Sequence, residues 1–177
     1  MFQLPFPLHD ANASAGGKDL GDLPEWDLSD LYTGEDAAEL KRDLDWLEDA
    51  CARFAEDYEG KLAELDAQGL LDCVLRNEKI SQIAGRIMSF AGLRYYQQTT
   101  DSGRAKFMSD MQEKITDYTT PLVFFTLELN KLPDDHLAKL LDENPDLARY
   151  KPVFDRIRAM KPYQLSDEME KFLHDLG

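Results

Sequence analysis

From Ala105 the chain places an apolar residue every three or four positions, through Met108, Met111, Ile115, Tyr118, Leu122, Phe125 and Leu129. That rhythm puts all eight on one stripe of an α-helix, and it is the clearest periodicity in the sequence. Pro121 lies inside it and cannot supply a backbone N–H, so the spacing predicts a kink around Tyr118 to Pro121 instead of a straight rod. A second stripe runs Leu40, Leu44, Leu47, Cys51, Phe54 and Tyr58, with Gly60 to stop it. Ahead of it Thr33 is placed to cap the first turn, and Glu35 and Asp36 to favour the positive end of the helix dipole.

Between these stripes, "KLAELDA" reads as a short helical piece. A long helix then begins near Gln68 and passes through Ile80, Ile83, Ile87, Phe90 and Arg94 on one face, with Ala84, Met88 and Ala91 beside it. Gly85 and Gly92 interrupt that helix, and close packing is the expected reason for them. The break falls at "TTDSG", where Thr99, Thr100, Asp101 and Ser102 are all cap formers. Three shorter helical segments, "DHLAKLLDE", "ARYKPVFDRIRAM" and "SDEMEKFLHDL", follow between prolines. No segment alternates in the manner of a strand, and no hairpin dipeptide occurs. The fold class is therefore all-α, with long antiparallel helices and shorter C-terminal ones packed at an end. The first 18 residues, rich in Pro, Ala and Gly, predict a flexible arm that we extend to residue 22, with one helical unit over 23–177.

Charge narrows the function. The chain carries a net charge of −15, and residues 19–66 account for −13 of it, with 17 acidic against 4 basic side chains. Nucleic acid is excluded as a partner by the lack of clustered Lys and Arg. A solvated acidic face accounts for the run better than a docking surface for a basic partner does. No stretch of 18 apolar residues occurs, and the opening lacks the continuous apolar core of a secretory signal, so the expectation is a cytoplasmic protein without membrane contact. Cys51 and Cys73 lie within helical patterns and read as buried free thiols.

A search for chemistry returns little. His9, His136 and His174 are far apart in sequence, the zinc motif H-E-x-x-H is absent, and there is no nucleophile elbow or phosphate-binding glycine loop. Arg94, Tyr95 and Tyr96 form the most site-like cluster, but a packed helix terminus explains them better. No residue is assigned a catalytic, cofactor-binding or metal-binding role.

Four stretches in order carry a resemblance. "LPEWDLSDLYTG" resembles the opening segment of bacterial oligoendopeptidase F and its relatives, zinc metallopeptidases of the thimet oligopeptidase group. "YEGKLAEL" is similar to the family's helix-to-helix step. "SFAGLRYYQQTTDSGRAKFMSDMQEKITDYTTPLVFFTLELNKL" is similar to the helix pair that follows, with Asp101 in the linker and Phe124 and Phe125 ahead of Glu128. "MKPYQLSDEMEKFLHDLG" resembles a later Lys-Pro-Tyr, Leu-Ser, Glu segment. The resemblance covers Leu23 to Gly177 and implies that Trp26, Leu28, Leu31 and Tyr32 anchor the leader on a helical lobe. It also implies a parent enzyme that hydrolyses short peptides with zinc held by two His and a Glu, in a motif lying downstream of the matched segment. This chain would then be the N-terminal, non-catalytic lobe walling the substrate channel, a fragment that binds no zinc and is inactive alone. Its partners would be peptides and the missing catalytic lobe, and its exposed apolar surface would favour self-association. The competing expectation is a free-standing acidic helical interaction module.

Overall fold

The computed structural model describes residues 26–176, so the expected arm over residues 1–22 and the start of the leader lie outside the described residues. The elements are α1 (Ala38–Tyr58), a 3-10 turn (Leu62–Glu64), α2 (Ala67–Gln97), α3 (Ser102–Thr119), a second 3-10 turn (Thr120–Val123), α4 (Phe124–Lys131), α5 (Asp134–Glu143), α6 (Pro145–Ala148), α7 (Lys151–Ala159), a third 3-10 turn (Lys161–Tyr163) and α8 (Asp167–Leu176). Among the described residues there is no strand.

The long helices run antiparallel, as the side-chain pairs between them show. Asp43, early in α1, meets Arg86, late in α2, at 3.4 Å, whereas Asp57, late in α1, meets Arg76, early in α2, at 2.7 Å. Helix α3 then returns along α2, with Phe90 and Phe107 edge to face at 6.0 Å. The predicted stripe of α1 is the core: Leu40, Leu44, Leu47, Cys51 and Phe54 are buried. Gly60 stops α1 at a backbone φ of 79°, a conformation that costs an L side chain and suits glycine. Side chains cap the start of α2, where the Asp66 carboxylate accepts from Gly69 N–H at 2.7 Å, of α3, where Asp101 accepts from Gly103 and Arg104 N–H at 2.8 and 3.2 Å, and of α6, where Asn144 accepts from Asp146 and Leu147 N–H at 3.0 and 3.2 Å.

The kink falls where Pro121 requires it. Helix α3 ends at Thr119, whose hydroxyl donates back to the Ile115 carbonyl at 2.7 Å, and the chain tightens into a 3-10 turn before α4. The change of direction lets Phe124 and Phe125 both turn inward, with ring centroids 5.7 and 5.8 Å from that of Phe54. Helices α5 and α6 lie against α2, tied by Tyr150 donating to Glu78 at 2.7 Å, and α7 lies against α4.

Three expectations need correction. Thr33 does not cap α1, which starts at Ala38, because the leader is still turning: Leu31 and Tyr32 N–H both donate to the Leu28 carbonyl, and Ala37 N–H to that of Gly34. Glu35 instead reaches Arg94 at 3.3 Å, and Glu39 is the acid of the first turn. Trp26 is not an anchor, being 70% exposed, although Tyr32 is buried and Leu28 and Leu31 pack on the core. Close packing does not account for the glycines either. Nothing lies within 4 Å of a side-chain carbon placed on the exposed Gly85, and only Tyr96 lies near one on Gly92, at an ordinary 3.8 Å.

Gly85→Ala should therefore stabilise the chain by about 0.5–1 kcal/mol, since it removes unfolded-state entropy without a clash. A raised urea midpoint at unchanged slope is the expected reading, and a lowered midpoint would mean that the position is not open. Cys51 and Cys73 are buried and free, and burial pushes their thiols up to about 11 and about 12. An unfolded thiol ionises near ~8.5. Between that value and the folded ones the unfolded chain releases protons that the folded chain keeps, so stability falls as pH rises through this window. The Cys51→Ala, Cys73→Ala double variant should lose less stability than the parent between pH 8 and 10.5, and equal losses would contradict the burial argument.

Candidate functional site

The end of α2 holds the cluster picked out in the sequence. Arg94 donates to Gln97 Oε1 at 3.1 Å and pairs with Glu35, while Arg104 donates to the Arg94 carbonyl at 3.2 Å and to Gln97 Oε1 at 3.3 Å. The amide of Gln97 in turn donates to the Trp26 carbonyl at 3.1 Å. These bonds close the α2–α3 corner and fix the leader to it. Tyr95 and Tyr96 lie ring to ring at 5.4 Å, with Tyr96 exposed. The cluster is a helix junction.

The leader has a better-defined anchor. The Tyr32 hydroxyl donates to Asp43 Oδ2 at 2.7 Å, its ring meets Phe90 edge-on at 5.4 Å, and the Arg86 guanidinium covers its other side at 4.4 Å. Arg86 also donates to the Leu31 carbonyl. Burial, followed by the Asp43 carboxylate, raises the Tyr32 hydroxyl far above the usual phenol range, which keeps it a donor at any ordinary pH.

A second concentration of polar side chains holds the C-terminal third. Glu128 reaches back to α1, its two oxygens accepting from Gly60 N–H at 2.6 Å and Leu62 N–H at 3.2 Å. Asn130, the one buried polar residue among those described, donates to Gln164 Oε1 at 2.8 Å. Arg158 of α7 caps the end of α4, donating to the carbonyls of Leu129 at 2.5 Å and Leu132 at 2.6 Å and to Asp134. A cation there also meets the negative end of the α4 dipole. The same guanidinium holds the Asp134 carboxyl below its ordinary range. Nothing in the spacing of Arg158 predicted this role, because the carbonyls it serves lie 26 and 29 residues earlier.

Helix α8 sits over this region. Lys131 pairs with Asp167 at 2.6 Å, Lys171 with Glu59 at 3.2 Å, and His174 Nε2 lies 3.4 Å from Thr119 Oγ1. Open grooves flank the helix: one of about 380 Å³ between α4, α7 and Tyr163, one of about 460 Å³ beside Asp167 and Lys171, and one of about 660 Å³ beside Leu173 and His174. None contains a nucleophile with its base. The Thr119 hydroxyl is already donating to a carbonyl, so His174 does not activate it. His136 is half-buried, and its Nε2 lies in the interior without a hydrogen-bond partner. Among the described residues no group of three or more His, Cys, Asp or Glu is placed to hold a metal ion, and no helix is long and apolar enough to cross a membrane.

What this region shares with known proteins is its sequence. A family model described as Oligopeptidase F matches residues 128–177, the stretch from Glu128 through α8. The Group B oligopeptidase PepB of Streptococcus agalactiae serotype III (strain NEM316) is 24% identical over 154 residues, covering 84% of this chain and 24% of that protein. The plasmid oligoendopeptidase F of Lactococcus lactis subsp. cremoris is 24% identical over 163 residues, covering 90% and 27%. The oligoendopeptidase F homolog of Lactococcus lactis subsp. lactis (strain IL1403) is 24% identical over 152 residues, covering 86% and 25%. No solved structure matches. The chain is thus an all-α protein similar in sequence to oligopeptidases. More particularly, it is similar to the N-terminal region of oligoendopeptidase F, and it spans about a quarter of the length of the curated relatives it matches.

Arg158→Lys keeps the charge but cannot fork onto two carbonyls. It should cost roughly 1.5–3 kcal/mol in a urea titration, the range for hydrogen bonds to a charged group. A cost below about 0.5 kcal/mol would show that the α4 end is served by solvent instead.

Proposed function

We propose that this chain is the N-terminal, non-catalytic helical lobe of a zinc metalloendopeptidase of the oligoendopeptidase F kind, acting in the cytoplasm on short peptides. The observation that carries the reading is the similarity itself: 84–90% of the chain aligns with each of three relatives named as oligopeptidases, over only 24–27% of their length. A lobe is the natural unit for such a match. Packed helix faces and helix-capping side chains suit a wall of the peptide channel. Zinc would supply the activated water in the parent enzyme. The described residues do not form its ligand set, so no step of hydrolysis is assigned to them. Two buried free cysteines fit a reducing compartment.

A quenched peptide shorter than about ten residues, assayed with zinc, tests this directly. The product of the unbroken reading frame that contains this chain should cleave it, and the 177-residue chain alone should not. Zinc-dependent cleavage by the short chain, or a longer product without peptidase activity, would overturn the reading.

A further inference from the structure

Helix α8 packs inside out. With 3.6 residues per turn, Asp167, Glu170, Lys171 and His174 share one side of it, and Met169, Phe172, Leu173 and Leu176 the other. The polar side faces the body. Asp167 and Lys171 make ion pairs with α4 and the end of α1, His174 approaches Thr119, and Glu170 turns back to accept from Leu165 N–H at 2.8 Å. The apolar side is turned to solvent, its four residues being 46–68% exposed, with Leu173 at the edge of the groove it shares with His174. Met160, Tyr163 and Leu165, just upstream, are 50–74% exposed as well.

An amphipathic helix at the edge of a finished domain turns the opposite way. At roughly 200 Å² for a large apolar residue, the four on α8 leave on the order of 400 Å² uncovered. That is the size of the largest patch on a typical monomer, roughly 300–600 Å² and often functional. The local charge permits close packing, because residues 151–177 carry five basic and five acidic side chains in a chain of net −15.

We propose that in the working protein this face is covered by apolar surface of the same polypeptide, contributed by residues beyond position 177. The inference rests on the reading of the chain as one lobe of a larger peptidase. Three observations favour that occupant over a second copy. The matched relatives are roughly three and a half times as long. The family match at 128–177 takes in the apolar stripe and Lys131, one of the groups that anchor its polar back. A charge of −15 opposes the meeting of two copies, whereas a tethered segment arrives at high effective concentration.

Thiol labelling tests it, with Phe172→Cys reporting the outer face and His174→Cys the inner one; the native Cys51 and Cys73 are buried and add only a slow background. In the 177-residue chain at low micromolar concentration, the outer thiol should react with a maleimide several-fold faster than the inner one. In the longer product it should slow by tenfold or more, with the inner thiol slow in both. Equal outer rates in the two proteins would overturn the inference, as would a slow outer and fast inner thiol in the short chain, which would mean that α8 has rolled over. Protection in the short chain that grows with its own concentration would make a second copy the occupant. A reading frame ending at residue 177 would overturn this inference and the functional reading together. Peptidase activity measured on the same longer product separates the two otherwise: activity with a reactive stripe sinks this inference alone, and a protected stripe without activity sinks the functional reading.

Discussion

Phe54 is the point on which the packing depends. It is fully buried, and its ring meets Tyr58 at 5.0 Å, Phe124 at 5.7 Å and Phe125 at 5.8 Å, with the Arg76 guanidinium at 5.9 Å. One side chain of α1 therefore touches α2 and the segment beyond the Pro121 kink. Without the kink Phe124 and Phe125 could not both turn inward, and without Phe54 they would have no common partner. The Arg76 that caps the cluster also pairs with Asp57, which fixes the antiparallel register of α1 and α2 at that end. Tyr32, Asp43 and Arg86 fix it at the other.

From these two ends the molecule grades outward. The long helices and the short ones α4 to α7 share one apolar core, to which α4 to α7 bring Phe124, Phe125, Leu137, Leu147 and Phe154 together with polar ties such as Glu128 to Gly60 and Arg158 to the end of α4, whereas α8 attaches through exposed ion pairs. Exposed pairs contribute about 0–1 kcal/mol each, less than the ~1.5–3 kcal/mol from burying one Leu, Phe or Met. The C-terminal edge is therefore the least self-sufficient part of the fold, and it is also the part that matches the oligopeptidase family model.

The helices were largely readable in the sequence, because burial repeats with the turn of the helix. The stripe from Leu40 to Phe54, the stop at Gly60, the start of α2 near Gln68 and the break before Pro121 all follow from residue spacing and backbone chemistry. What escaped has physical reasons. Thr33 is a cap former by type, but the turn from Leu28 to Tyr32 spends that stretch of backbone before the helix can begin. Trp26 is apolar by type, yet its side chain is exposed while its carbonyl is held by Gln97. Gly85 is exposed, so no contact within the chain accounts for it. For α8 the sequence reveals two faces but not which one meets the body, since that depends on the charges of Lys131 and Glu59 far away in the chain. No catalytic residue could be assigned from spacing, and the resemblance to oligoendopeptidase F supplied a functional reading that spacing could not.

The central claim is that a helical lobe exposes at α8 a surface belonging to a larger peptidase. A crystal structure of the longer product tests it most directly. The account predicts Met169, Phe172, Leu173 and Leu176 buried beneath residues that follow position 177, with the pairs Lys131–Asp167 and Lys171–Glu59 still formed. A structure in which those four side chains stay in solvent, or in which α8 has turned them onto α3 and α4, would contradict it.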